Sequence, residues 1–300
     1  MTLVCLGNLI VDDIVFADGR TRLGEPGGAM LYTALGASLW GARVAIVAPV
    51  GTDYPRATLA ALAARGVDLS GLRTLTRPGL RAWLRYEPDG RRVEHQAGSP
   101  THDEASPRAD DLVAFADARA FHLAPAPRTC QARLVEALSQ CTRAFVSLDP
   151  HDPVTEASLG DWRDVLARVD LLFLSEEEAR LPSLAPDPAT ALHALAGGRL
   201  GAVALKRGER GGVYVDLASG ATTPWPARTH VALDATGAGD AFAGGFLAGW
   251  PDDRDLGAAL TRGVVAASFA LETMGARGLL DATRAEAQRR FDAWREAFAP

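Results

Sequence analysis

The sequence has few cysteines and no long apolar run. Its three cysteines, Cys5, Cys130 and Cys141, are an odd number without a CxxC pair, so we expect no disulfide framework and a reducing compartment. No uninterrupted apolar stretch approaches the length of a membrane span. The N-terminus lacks the basic segment of a secretory signal. These absences predict a cytoplasmic protein that does not enter a membrane.

Clustered positive charge is also missing. The formal net charge is −6 over 300 residues, and lysine and arginine form no stripe of the kind that nucleic-acid-binding proteins carry. We therefore expect no nucleic-acid partner. Hydrophobic residues make up 48% of the chain and are spread along it, which allows a large core. A single folded unit over residues 1–300, acting on a small molecule, is the prediction.

Short apolar runs alternate with segments of helical spacing. Each run has the length of a strand buried on both faces, and the runs are residues 3–6, 44–48, 144–148, 171–174 and 202–205. The predicted helices include residues 58–65, 131–138, 240–250, 255–272 and 283–298. This alternation predicts an α/β fold in three layers, with a central, mostly parallel sheet flanked by helices.

Two segments interrupt the alternation. Residues 11–28 are polar and contain several glycines. Residues 80–96 alternate polar and apolar side chains around a turn at Pro88-Asp89-Gly90. The second segment is typical of a hairpin outside the main sheet. Together the segments predict a small β lid over a cleft. Because isolated hairpins are marginal in water, a homodimer through this lid is a further hypothesis.

The segment most informative about chemistry is residues 231–245. A strand-like run leads into Gly237, Ala238, Gly239 and Asp240, and a helix follows. Small residues let backbone N–H groups approach an anion closely, and a helix N-terminus favours negative charge. Asp240 at the helix start is placed to accept the proton of an attacking hydroxyl. The segment predicts a phosphoryl-transfer site, although a glycine-rich helix entry with an acidic N-cap is the simpler interpretation.

The run Asp-Ala-Thr-Gly-Ala-Gly-Asp-Ala-Phe at residues 234–242 resembles the C-terminal signature of the ribokinase-like (PfkB) family of carbohydrate and nucleoside kinases. Gly27-Gly28, Gly41-Ala42, residues 50–53 and residues 66–68 follow the order of the family's first signature. The resemblance extends over nearly the whole chain. It implies a ribokinase-like fold and an ATP-dependent kinase that phosphorylates a hydroxyl of a sugar or sugar derivative.

The resemblance also implies roles for individual residues. Asp240 matches the catalytic base, and Gly237, Ala238 and Gly239 match the anion hole. Asp12 matches the aspartate that holds substrate hydroxyls, and Gly27 and Gly28 match the glycine pair that lines the substrate pocket. The residues implied at the nucleotide are Ser175, Lys206, Gly208 and Thr236.

Cofactor positions follow from the same resemblance. Glu178 matches the glutamate of the family's Asn-x-x-Glu element, which holds Mg²⁺ through water, but Ser175 stands where the family has asparagine. Asp234 matches a position near a monovalent cation site in some relatives, so the expected cofactors are ATP, Mg²⁺ and K⁺. Without the resemblance, the glutamates at 176–178 are typical of the first turn of a helix.

Two further positions bear on the substrate. Tyr32 stands where many sugar kinases have a substrate-contacting asparagine, so the pocket departs from the usual one. His122 ends a predicted strand, where ligands gather in parallel sheets, although a structural histidine is the simpler interpretation. Two alternatives to a sugar kinase stay open. One is a nucleoside kinase in which Tyr32 or Trp83 stacks on a base, and the other is a non-catalytic regulatory or binding protein, suggested by Tyr32 and Ser175.

Overall fold

A computed structural model describes residues 2–88, 92–97, 100–181, 187–228 and 232–295. The strands are, in chain order, β1 (Thr2–Leu6), β2 (Ile10–Val15), β3 (Thr21–Gly27), β4 (Arg43–Val50), β5 (Asp68–Thr74), β6 (Leu80–Tyr86), β7 (Arg92–Ala97), β8 (Ala120–Leu123), β9 (Phe145–Leu148), β10 (Val154–Thr155), β11 (Leu171–Ser175), β12 (Ala179–Arg180), β13 (Ala202–Lys206), β14 (Gly212–Asp216) and β15 (Thr222–Trp225). The α-helices are α1 (Ala29–Ser38), α2 (Arg56–Ala64), α3 (Arg128–Cys141), α4 (Leu159–Leu166), α5 (Pro188–His193), α6 (Ala238–Leu247), α7 (Trp250–Asp253), α8 (Leu256–Leu271), α9 (Arg277–Asp281) and α10 (Arg284–Arg295). Short 3₁₀ helices occur at Ala109–Phe115, Glu156–Ser158 and Gly208–Arg210.

The main sheet has the strand order β15-β14-β13-β11-β9-β8-β1-β4-β5. All pairs from β13 to β5 are parallel, whereas β14 and β15 pair antiparallel at one edge. The five apolar runs all lie in this sheet. Helices α1, α6 and α8 bury apolar side chains on one face, and α3, α4 and α5 do so on the other. The three-layer α/β prediction is therefore confirmed, because strands covered on both faces need uninterrupted apolar runs.

Some helix boundaries differ from the prediction. The segment predicted as one helix over residues 240–250 is divided, because α6 ends at Leu247 and α7 begins at Trp250. The glutamates at 176–178 do not open a helix; they form a turn between β11 and β12. The last predicted helix begins at Arg284, and its residues beyond Arg295 lie outside the described part of the chain.

A small sheet of order β3-β2-β6-β7 stands apart from the main one. Its strands come from the two segments that interrupt the helix–strand alternation. Strands β6 and β7 pair antiparallel, with Trp83 opposite His95, so the predicted hairpin is present. The turn residues Asp89 and Gly90 lie outside the described residues. That this small sheet acts as a lid stays a prediction.

Helices α1 and α6 approach each other through glycine. A Cβ atom added at Gly36 would lie 2.5 Å from the carbonyl oxygen of Ala241, and one at Gly244 would lie 2.0 Å from that of Thr33. Only glycine permits backbones this close. Helix α1 directly follows Gly28, and α6 directly follows Gly237, so this packing joins the two ends at which functional residues were predicted. Among the described helices, none has the length and apolar character to cross a membrane.

Candidate active site

Helix α6 begins at a tight glycine turn. Gly237 is its N-cap and has a φ of 73° in the left-handed region, which favours glycine. A Cβ atom there would also lie 2.2 Å from the ring of Tyr32. The first amides of a helix have no partner within the helix; here the N–H of Ala238 donates to the carbonyl oxygen of Ala235 at 3.3 Å. The positive end of the helix dipole lies at this turn.

Lys206 adds a positive charge at the same point. It ends strand β13, and its Nζ lies 3.2 Å from the Cβ position of Gly239. Nζ donates a hydrogen bond of 2.5 Å to Asp149, whose side chain is 1% exposed. Burial alone lowers the pKa of Lys206, but the carboxylates of Asp149, Glu178 and Asp240 outweigh burial and raise that pKa above its usual value. An ammonium group and a helix N-terminus therefore meet beside Asp240, an arrangement that suits a phosphoryl group in transfer.

The two glycines predicted to line the substrate pocket are fixed by two close approaches. A Cβ atom on Gly27 would lie 1.8 Å from Oδ2 of Asp12, a buried residue on β2. Gly28 has a φ of 97°, and a Cβ there would lie 2.3 Å from the carbonyl oxygen of Asn8. The buried hydroxyl of Tyr54 donates to the carbonyl oxygen of Gly27 at 3.4 Å. Asp12, Gly27 and Gly28, the residues predicted to hold the acceptor, thus lie close together and are called the glycine floor below.

Tyr32 lies between this floor and the start of α6. It is 2% exposed, and its ring covers Gly237. Burial raises the pKa of Tyr32 well above its usual value, and the negative charges of Asp12, Asp234 and Asp240 raise it further. Tyr32 therefore has the substrate aspartate and the predicted base as neighbours. Its hydroxyl makes no hydrogen bond to the described residues, so contact with a substrate is compatible with this position.

Ser175 and Glu178 hold each other at the end of β11. The backbone N–H of Ser175 donates to Oε2 of Glu178 at 2.7 Å, and the N–H of Glu178 donates to Oγ of Ser175 at 3.2 Å. The negative charge of Glu178 contributes to the raised pKa of Lys206. Gly208, exposed and with a φ of 56°, begins the turn that follows Lys206. The nucleotide-side residues thus gather at the carboxyl ends of β11 and β13.

Asp234 and Thr236 form the turn that precedes Gly237. Asp234 is 2% exposed, and its carboxylate accepts hydrogen bonds from the backbone N–H of Thr236 at 2.9 Å and of Gly275 at 2.8 Å. Gly275 lies between α8 and α9, so this bond joins the turn to a distant part of the chain. These bonds fix the backbone that leads into the predicted anion hole.

His122 occupies a different position from the other candidates. It has no exposed surface, and its Nδ1 lies 3.0 Å from Oγ of Ser147. That hydroxyl also lies 3.3 Å from the carbonyl oxygen of Phe121. Burial and the charge of Lys206 lower the pKa of His122 to about 3. His122 is therefore a neutral, buried histidine, and it is not part of the site proposed below.

Sequence reasoning missed two features of this region. Asp149 directly follows β9, so the strand-end rule that selected His122 applies to Asp149 as well. His102 lies near the glycine floor: with the side-chain amide of Asn8 oriented to donate to Ala105, its oxygen accepts from Nδ1 of His102 at 3.2 Å. The ring of His151 is 5.6 Å from that of His102. No periodicity or spacing pointed to this imidazole pair.

A family model described as "pfkB family carbohydrate kinase" matches residues 2–283. The chain belongs to this family. This chain is 31% identical over 279 residues to a cytidine kinase from Thermococcus kodakarensis, and the match covers 92% of this chain and 98% of that one. The expected family, fold class and ATP-dependent phosphotransferase activity on sugars or nucleosides are confirmed, and the non-catalytic alternative is set aside.

Solved structures share the fold of the PfkB kinase. A nucleoside kinase from Burkholderia thailandensis, in complex with inosine, has a TM-score of 0.76 at 19% identity and covers 98% of this chain and 97% of its own. A fructokinase double mutant from Vibrio cholerae O395, in fructose, ADP and potassium ion bound form, has a TM-score of 0.76 at 20% identity, with 97% and 98% covered. At this identity, the likeness concerns the fold alone.

Proposed function

We propose that this kinase transfers the γ-phosphoryl group of ATP to a hydroxyl of a ribonucleoside, with Asp240 as the base. The observation that carries the proposal is the position of Lys206, whose Nζ lies 3.2 Å from the Cβ position of Gly239, the residue directly before Asp240. The ammonium group and the amides of Gly237, Ala238 and Gly239 stabilise negative charge on the phosphoryl oxygens. Asp240 accepts the proton of the attacking hydroxyl.

The two substrates approach this point from opposite sides. Asp12, with Gly27 and Gly28, holds hydroxyl groups of the acceptor. The nucleotide phosphates lie along the turn after β13, near Lys206 and Gly208, with Ser175 and Thr236 beside them. In-line transfer then requires positioning and charge stabilisation rather than covalent chemistry by the protein.

Glu178 is the residue proposed to hold Mg²⁺ through water. Its Oε2 accepts from Ser175, and no cluster of three or more His, Cys, Asp or Glu side chains able to hold a metal ion occurs in the described part of the chain. This donor set fits Mg²⁺, which usually keeps several waters and binds one or two carboxylates together with substrate phosphates. When bound, Mg²⁺ neutralises charge on those phosphates.

A ribonucleoside is favoured over a free sugar for two reasons. The first is the cytidine kinase relative, which is 31% identical over 279 residues and is matched over nearly the whole length of both chains. In this chain, His102 and His151 lie just beyond Asn8, which contacts Gly28. An acceptor whose ribose lies on the glycine floor would extend its base toward these imidazoles. Trp83 lies on the face of β6 opposite to Tyr86 and is not proposed to stack on the base.

The test measures ATP consumption with Mg²⁺ against cytidine, inosine, ribose and fructose. Turnover should be highest with a nucleoside, and Asp240→Asn should lower kcat by about 10²- to 10⁴-fold. Asp161→Asn is the matched control, because Asp161 also lies in the first turn of a helix, α4. Turnover on free sugars alone would restore the sugar-kinase prediction. Retention of most activity by Asp240→Asn would refute the assigned base.

The homodimer is also retained as a proposal. Leu23 and Trp83 on the small sheet are 62% and 44% exposed, and exposed apolar side chains of this size are candidates for burial against a second copy. Light scattering should give a dimer mass that Trp83→Glu reduces to the monomer mass. A wild-type protein that stays monomeric at high concentration would contradict this interface.

A further inference from the structure

Tyr86 connects the small sheet to the turn that precedes the anion hole. It is the last residue of β6, and its hydroxyl lies 2.5 Å from Oδ1 of Asp234 and 2.6 Å from Oγ1 of Thr236. An ionised carboxylate only accepts, so the phenol donates its single proton to Asp234, and the hydroxyl of Thr236 donates to the phenol oxygen. The side chain of Tyr86 thus closes a hydrogen-bonded ring one residue before Gly237.

The small sheet holds Tyr86 in this position. The ring of Tyr86 stacks on that of Phe16, with centroids 5.7 Å apart and an interplanar angle of 19°. Strand β6 pairs in parallel with β2, the strand that carries Asp12. One sheet therefore carries both the acceptor-binding aspartate and the hydroxyl that reaches Asp234.

The Asp234 carboxylate is already satisfied by protein donors. Oδ1 accepts from Tyr86 and from the N–H of Thr236, and Oδ2 accepts from the N–H of Gly275. The family resemblance implies that this carboxylate lies near a monovalent cation. At Oδ1 the residues present do not fit that role, because a cation there would have to displace the phenol or the N–H of Thr236.

We propose that the Tyr86 hydroxyl takes the place of a monovalent cation in this kinase. It fixes Asp234 and Thr236, and through them the Gly237 turn, whenever the small sheet lies over the cleft. The order of the anion hole then depends on the small sheet instead of on a bound ion. Tyr86 is a positioning residue, since it acts on the phosphoryl group only through the turn. This inference rests on the proposed kinase function.

The test compares wild type, Tyr86→Phe and Tyr214→Phe in buffers that contain either K⁺ or tetramethylammonium. Tyr214 is a matched control because it is a buried tyrosine that packs on Phe246, in the last turn of α6, and makes no hydrogen bond to Asp234 or Thr236 among the described residues. Wild type and Tyr214→Phe should have the same kcat in both buffers. Tyr86→Phe should lose about tenfold or more in kcat without K⁺, with a smaller change in the KM for ATP, and K⁺ should restore much of the loss.

A second readout does not depend on activity. K⁺ should raise the Tm of Tyr86→Phe, where Oδ1 of Asp234 has lost one of its two donors, and should leave the Tm of wild type unchanged. Strong activation of wild type by K⁺, or a Tyr86→Phe variant that behaves like Tyr214→Phe or does not respond to K⁺, would overturn the inference. A wild type without kinase activity on any acceptor would instead refute the proposed function, and the Tm comparison would still decide the role of Tyr86.

Discussion

The substitution Gly27→Ala, which adds one methyl group, should lower kcat/KM for the acceptor without changing the affinity for ATP. In the structure, the Cβ of Gly27→Ala would lie 1.8 Å from Oδ2 and 2.4 Å from Cγ of Asp12. An ordinary contact between carbon and oxygen is about 3.3–3.6 Å, so the carboxylate must move by about 1.5 Å. A misplacement of about 1 Å near a reacting group costs about 10²-fold in rate.

We therefore expect kcat/KM for the acceptor to fall about 10²-fold, equivalent to about 2.7 kcal/mol of transition-state stabilisation. The affinity for ATP should be unchanged, because Lys206 and Gly208 belong to the other side of the site. The assay is an acceptor titration at saturating ATP, combined with calorimetric titration of ATP alone.

Gly160→Ala is the matched control for this substitution. A Cβ at Gly160, in the first turn of α4, meets no atom within 4 Å. This variant should keep wild-type kinetics and stability. If Gly27→Ala kept a normal kcat/KM while folded, then Asp12 would not hold the acceptor in the way we describe. An equal loss of ATP affinity would indicate general distortion of the cleft.

Two further predictions concern buried charge. Because burial lowers the pKa of His122 to about 3, the native state binds fewer protons there than the unfolded state does. The free energy of unfolding should then fall as the pH drops from about 6.5 toward 3, by up to about 1.4 kcal/mol per pH unit. His122→Gln should show a shallower slope in urea melts, and equal slopes would contradict a neutral His122. Lys206→Met should lower kcat by about 10²- to 10³-fold and destabilise the fold by about 3–5 kcal/mol, since Asp149 is left buried without its partner. Adding Asp149→Leu should recover stability but not kcat, and recovery of kcat would show that Lys206 acts only structurally.

The main sheet could be predicted because the residues of each strand reflect the burial of that strand. A strand covered on both faces needs a continuous apolar run, and the five runs supplied this pattern. Gly27, Gly28 and Gly237 could be identified through the resemblance to the family's motifs. The contacts that exclude a Cβ at these positions come from Asp12, Asn8 and Tyr32, which lie elsewhere along the chain, so only the structure shows the physical reason.

Features that depend on strand order could not be predicted in the same way. Asp149 meets Lys206 because β9 and β13 both flank β11, and no local pattern encodes that order. Tyr86 and Asp234 are 148 positions apart, and they meet only because the small sheet reaches the turn before α6. The strand-end rule selected His122 without indicating its depth, and the structure buries that side chain inside β8 instead of at its rim.

The glycine contacts between α1 and α6 also bear on how such an enzyme diversifies. Gly36 and Gly244 bring the two helix backbones together, so close packing joins the proposed acceptor-binding glycines before α1 to the proposed anion hole before α6. Mutations in this packed unit are expected to change the chemistry and the fold together. Strand β7 and the loop that carries His102 lie outside this unit. Substitutions in those segments can therefore change which acceptor is bound while the geometry of phosphoryl transfer stays the same.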